Sequence, residues 1–293
     1  METINKKRAE SMEELGRIMS NSFDHELSTK SIEQFSPRSS DIIITPFGKC
    51  GTTWTQQIFH TLRTKGDMDF DDISRVVPWI ETSGSLGLNI NAEQKANPRG
   101  FKSHLSYDTV PKGCKYINVI RNPLDAAYSS FKFMEGWYIE PGTISADEFV
   151  LQNARKGEYH RHFVSWWPHR NDETVLYLVY EHMKHDIAST IKRIATFSEI
   201  ELDQELLEIA KNHSSFAFMA EHKDRFDDAM LRMQSEENVL PKGSDSSKVR
   251  LGRVGEHHLS EDVISVLNDK WQEVVMPVTG FESYEDLIAS LAL

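Results

Sequence analysis

Residues 45–54 read TPFGKCGTTW and follow the short apolar run of residues 41–45. Trp54, Ile58 and Leu62 then recur at helical spacing, which predicts a strand, a glycine-bearing loop and a helix. Such a loop can cradle phosphate. Gly48 and Gly51 are free to take backbone conformations closed to other residues, so successive N–H groups converge on an anion at the positive end of the helix. Lys49 adds a cation, and Thr52 and Thr53 add hydroxyl donors. The order differs from the triphosphatase loop G-x-x-x-x-G-K-[ST], because Lys49 precedes Gly51, and this disfavours a kinase or ATPase. Taken alone, the same residues would also serve an ordinary glycine turn with threonine caps. A second anion signature lies in residues 115–130, KYINVIRNPLDAAYSS, where Arg121 ends a strand, Pro123 opens a helix and Ser129 stands about two turns along it. Arg121 and Ser129 can meet one phosphate there; the competing reading pairs Arg121 with Asp125 and leaves Ser129 a small helix residue. In residues 97–105, NPRGFKSHL, Lys102 and His104 point to the same face of a strand. That places a proton acceptor beside a group that stabilises developing charge.

These side chains need strand ends to hold them. Strand-like runs recur at residues 42–45, 100–104, 115–120 and 174–180, interleaved with helical stretches, which predicts an α/β fold: a single domain with a central, mainly parallel sheet flanked by helices. Ligands should gather at the carboxyl ends of its strands. Helical signals run from Pro123 to Met134, over residues 147–162 and over residues 182–197. Residues 1–38 form a polar lead-in with one amphipathic helix around Met12, Leu15 and Met19, and residues 39–293 form the catalytic domain. The aperiodic stretch 237–250 reads as a surface loop able to close over a site.

Thirty-three Lys and Arg against forty-five Asp and Glu give a formal charge of −12, which argues against nucleic acid and anionic membrane as partners. Two cysteines, no apolar signal core and no apolar run near membrane-spanning length predict a reduced, cytoplasmic protein. The acidic run 67–72, DMDFDD, has Asp72 where a calcium loop needs glycine and Pro78 where it needs glutamate, so it reads as a solvated turn. The histidine pairs 182/185 and 257/258 lack the cysteine or carboxylate partners of a zinc site, and no metal is expected. Trp166, Trp167 and the methionines 219, 230 and 233 read as core.

Two phosphate sites on neighbouring strand ends suit a ligand with two separated phosphates, and with these motifs the chain resembles the cytosolic sulfotransferases from about residue 41 to 281. The resemblance implies 3'-phosphoadenosine 5'-phosphosulfate (PAPS) as donor and adenosine 3',5'-bisphosphate (PAP) as product. It places Lys49, Gly51, Thr52, Thr53 and Trp54 at the 5'-phosphosulfate end, and Arg121 and Ser129 at the 3'-phosphate. Tyr180 in YEHMK, with Ser214 and Phe216 in HSSFAFM, falls around the adenine, on which Trp54 stacks. Arg250, Gly252 and Gly255 in VRLGRVGEH would close over the 3'-phosphate, with Leu251 where the family usually has lysine. His104 falls on the family's catalytic histidine, with Lys49 and Lys102 beside the transferred group. A neutral imidazole suits that role because an acceptor hydroxyl does not ionise at pH 7. Trp79, Tyr107, Phe131 and Phe133 are the expected walls for a small organic acceptor. Alternatives are transfer to an amine or carbamoyl nitrogen, a magnesium-dependent small-molecule kinase, or a catalytically silent nucleotide-binding protein. The family's Lys-Thr-Val-Glu dimer motif has no counterpart in residues 257–269, HHLSEDVISVLND, so the resemblance assigns no oligomeric state.

Overall fold

Ile42–Ile44 form strand β1, and none of the three side chains is exposed, because β1 lies inside the sheet with helices on both faces. An unbroken β-branched run is what a strand buried on both sides requires. The computed structural model describes residues 7–22, 24–228, 230, 245–246, 248–249 and 254–291. Strands β2 (Gly100–Lys102), β3 (Lys115–Ile120) and β4 (Val175–Val179) complete a parallel sheet in the order β2-β1-β3-β4. Ile42 pairs with Gly100 on one side and Lys115 on the other, and Tyr116 pairs with Val175. The chain thus steps from β1 outward to β2 and then back across β1 to β3. That reversal opens a crevice at the carboxyl ends of the strands, where doubly wound sheets bind ligands.

Alternation along β1 divides the core. Ile42 and Ile44 face Ile58, Phe59 and Leu62 of the Thr52–Thr64 helix and Ile191 and Ile194 of the Ile187–Phe197 helix. Ile43 faces Phe101, Tyr116, Trp166 and Trp271 on the opposite side. Gly100 has a steric reason: a Cβ there would stand 2.2 Å from Phe59 Cε1. At the amino ends of β1 and β2, Arg99 donates to Asp41 through Nε at 3.0 Å and Nη2 at 2.6 Å, and both residues are buried. Nη1 also reaches Asn91 O at 3.1 Å, so the guanidinium is well satisfied.

Four expected helices change shape. Residues 147–162 divide into Ala146–Ala154 and Glu158–Trp166, separated at Gly157, whose φ of 64° is the left-handed conformation of a helix end. Residues 182–197 divide into Tyr180–His185 and Ile187–Phe197, because Asp186 leaves the helix and caps the second from its side chain, accepting from Ser189 N at 2.9 Å. The amino-terminal helix is likewise a pair, Met12–Ser22 and His25–Gln34, with Asp24 capping the second by accepting from Leu27 N at 2.9 Å. The helix begun at Pro123 runs on to Trp137. Apart from Asp245, Ser246, Lys248 and Val249, the expected closing loop 237–250 lies outside the described residues. The DMDFDD carboxylates have local partners: Asp67 pairs with Lys95 at 2.6 Å, Asp71 with Arg75 at 2.5 Å, and Asp72 caps the Ile73–Val76 helix. Among the described residues, no helix is long and apolar enough to cross a membrane.

Candidate active site

A cavity of 640 Å³ lies at the carboxyl ends of β2, β1 and β3. The loop after β1 enters it with Lys49 at φ 68° and Gly51 at φ 92°. Gly51 is needed twice over, since a Cβ would also stand 2.9 Å from Tyr180 Cδ2. The Thr52–Thr64 helix begins at Gly51 with no side-chain cap, leaving its first N–H groups to an outside acceptor. Thr52 Oγ1 is buried and has no hydrogen-bond partner among the described residues. A cationic loop with uncapped donors and an orphaned hydroxyl fits a phosphate or sulfate group.

The cations around this cradle, the half-buried Lys49 and the buried Lys102, sit against aromatic faces. Lys49 Nζ lies 4.4 Å from the centre of the Phe133 ring, and Lys102 Nζ lies 3.8 Å from that of Trp79. Burial, then the neighbouring Lys248, lowers the Lys49 ammonium to about 7; the same two causes lower Lys102 to about 8. Lys248 forms an ion pair with Asp228, and both line the cavity. Burial opposes ionisation of Asp228, yet Lys248 and Lys102 hold its carboxyl below the usual range. Asp228 and Lys248 belong to no motif read from the sequence. Lys248 falls within the stretch 237–250 read as a closing loop and beside the VRLGRVGEH run, but nothing marked Asp228.

His104 follows β2. Its Nδ1 is 2.8 Å from Pro46 O, and a carbonyl only accepts, so Nδ1 carries the proton and Nε2 is the ring's basic atom. Burial, then Lys102, lowers its pKa to about 3, which keeps the imidazole neutral at pH 7. The His104 backbone N–H donates to the buried Glu81 at 2.7 Å, and the ring meets Trp79 edge-on at 5.3 Å. At the other end of the cavity Arg121 donates from Nη1 to Lys49 O at 3.0 Å and lies over the Tyr180 ring at 4.5 Å. Asp125 stands 3.9 Å from Nη2, so the sequence-level pair exists, but it is buried beside the cavity, and Arg121 Nε has no hydrogen-bond partner among the described residues.

Ser129 lines the cavity from the Pro123–Trp137 helix, and Thr53, Trp54, Tyr180, Ser214 and Phe216 line it from around the cradle. Trp54 Nε1 donates to Ser214 O at 2.8 Å and its ring meets Tyr180 edge-on at 5.5 Å. Ser214 uses its hydroxyl within its helix end, donating to Ala210 O at 2.6 Å. Trp79 and Phe133 are at the cavity as expected, but Tyr107 and Phe131 are not. Tyr107 turns into the second core cluster, stacking on His169 at 3.4 Å and meeting Trp166 edge-on. Phe131 stands two helical positions before Phe133, about 200° around the axis, and packs into the third cluster against Phe149. The cavity is lined instead by Met19, Thr82, Met134, Trp137 and Tyr138. The stripe of Met134, Trp137 and Tyr138 along the end of the Pro123–Trp137 helix is indistinguishable in sequence from a core-facing one. Arg250 and Gly252 lie outside the described residues; Gly255 donates its N–H to Asp125 at 3.0 Å.

A parallel sheet carrying an anion cradle, a second basic group and a half-buried neutral histidine fits an α/β group-transfer enzyme acting on an anionic substrate. The Sulfotransferase domain family matches residues 39–278, and the chain belongs to that family. It is 34% identical over 212 residues to sulfotransferase 1B1 of Mus musculus, covering 67% of this chain and 71% of the relative. It is 32% identical over 228 residues to sulfotransferase 1 family member D1 of the same species, covering 72% and 76%. Among solved structures, retinol dehydratase in complex with androsterone and inactive cofactor PAP superposes with a TM-score of 0.66 at 18% identity, over 87% of this chain and 88% of that one. The protein is a PAPS-dependent sulfotransferase that transfers a sulfuryl group to a small-molecule acceptor.

Proposed function

We propose that His104 is the general base of this transfer, with Lys49 and Lys102 as the charge-stabilising groups. The observation that carries the reading is the hydrogen bond from His104 Nδ1 to Pro46 O, which leaves Nε2 as the acceptor in the cavity that holds both lysines. His104 Nε2 takes the proton of the attacking hydroxyl. Lys49, the Thr52 and Thr53 N–H groups and Lys102 meet the negative charge that grows on the departing side; losing one such contact typically costs about 3 kcal/mol of barrier. Gly51 gives the backbone its close approach, and Arg121 and Ser129 hold the 3'-phosphate. Trp54, Tyr180, Ser214 and Phe216 enclose the adenine. Bound PAPS supplies the activated sulfuryl group. Trp79 and Phe133, with Met134, Trp137, Tyr138 and Met19, form the acceptor wall, so the amino-terminal lead-in contributes to the site of the 39–293 catalytic domain. The setting we infer is cytoplasmic, with neither nucleic acid nor membrane as partner, in keeping with the charge of −12.

The test is transfer of labelled sulfate from PAPS to a panel of phenols and alcohols, with amines in parallel and a chelator present. Wild type should turn over hydroxyl acceptors, and His104→Ala should lose about 100-fold or more in kcat. Turnover of His104→Ala within about threefold of wild type, well below the usual worth of a general base, would remove His104 from the role. Turnover of amines alone would move the transfer to nitrogen.

A further inference from the structure

Between the end of β3 and the Pro123–Trp137 helix lies one peptide unit, the bond joining Arg121 to Asn122, that belongs to neither element. Its C=O and N–H must therefore find other partners. The carbonyl of Arg121 accepts from Tyr159 Oη at 2.6 Å, and the N–H of Asn122 donates to Glu181 Oε1 at 3.0 Å. Glu181 Oε2 in turn accepts from the hydroxyl of the buried Tyr284 at 2.6 Å. Glu285, the next residue of the Tyr284–Ser290 helix, accepts from Asn122 Nδ2 at 3.0 Å. A peptide is planar, so gripping its oxygen on one side and its N–H on the other fixes the plane, and with it the direction in which Arg121 leaves the backbone. Glu181 also follows Tyr180, whose ring carries the Arg121 guanidinium at 4.5 Å. One short helix thus holds both the main chain and the side chain of the arginine.

We propose that Tyr159, Glu181 and Tyr284 are positioning residues for Arg121, and that through them the carboxyl-terminal helix sets the enzyme's preference for nucleotides bearing a 3'-phosphate. This rests on the placement of Arg121 at the 3'-phosphate argued above. None of the three residues lines the cavity, so their effect passes through the Arg121–Asn122 peptide.

The experiment is calorimetric titration of full-length wild type, Tyr159→Phe, Tyr284→Phe, Glu181→Gln and Arg121→Ala with PAP and with AMP, with Tm recorded for each. Wild type should favour PAP, and Arg121→Ala should lose that preference. Each phenylalanine variant removes a single hydroxyl and should lower PAP affinity about five- to tenfold while AMP affinity stays within about twofold. Glu181→Gln keeps an oxygen for the Asn122 N–H and should retain most of the preference. A lowered Tm with an unchanged PAP-to-AMP ratio in both phenylalanine variants, beside a lost ratio in Arg121→Ala, would overturn the clamp and leave the donor site standing. A wild type without preference for PAP would remove the donor reading and the clamp with it.

Discussion

Lys49, half-buried, and Lys102, buried, line the cavity against aromatic faces, so their protonation is tied to what enters it. With Lys49 lowered to about 7 and Lys102 to about 8, the unliganded protein at pH 8 carries Lys49 mostly neutral and Lys102 about half charged. An anionic nucleotide favours the charged forms and raises both values. Binding of PAP at pH 8 should therefore take up protons, and the uptake should fade below about pH 6, where both lysines are already charged. Calorimetry in buffers of different ionisation enthalpy reads this directly; zero uptake at pH 8 would contradict the buried-cation description. Lys49 and His104 were legible in sequence because each sits in a short motif whose neighbours must be glycine, threonine or strand residues. Asp228 and Lys248 were not, because an ion pair across a fold leaves no local pattern. Tyr107 and Phe131 were misplaced because residue type alone does not say which way a side chain points.

The elements that carry these residues depend on the pair at the opposite end of the sheet. Arg99 and Asp41 are buried and tie β1 to β2, so removing one partner strands a charge in the core. Arg99→Ala should lower unfolding free energy by about 3–5 kcal/mol in a denaturant titration. A loss under about 1 kcal/mol, the scale of a surface ion pair, would mean that water reaches Asp41. The strands were legible because β-branched runs bounded by turn residues admit little else. The helix breaks at Gly157 and Asp186 were missed for a related reason: hydrophobic periodicity continues across them, and it reports the buried face rather than the continuity of the backbone.

Across the described residues, three buried histidines and the half-buried His104 are held neutral. Burial, reinforced by nearby Lys or Arg at His60, His104 and His160, lowers His60 and His104 to about 3 and His160 and His162 to about 4. The unfolded chain protonates them near 6.5, whereas the folded protein does not until far lower pH. The histidines' contribution to stability is therefore complete above about pH 6.5 and is lost as the pH falls toward 4, by up to about 1.4 kcal/mol per pH unit for each histidine. Denaturant midpoints measured from pH 7.5 to 4.5 should fall steadily; a flat profile would show that these rings are solvated. The strand order has a consequence of another kind. His104, Lys49 and Arg121 follow β2, β1 and β3, which are successive rungs about 4.8 Å apart, so the strands that lead to the outer two groups lie about 10 Å apart across the sheet. The enzyme thereby carries a yardstick. On the proposed placement it gauges the span from the 3'-phosphate at Arg121 to the acceptor oxygen at His104, and a nucleotide of equal charge but different length would hold its sulfuryl group off the mark.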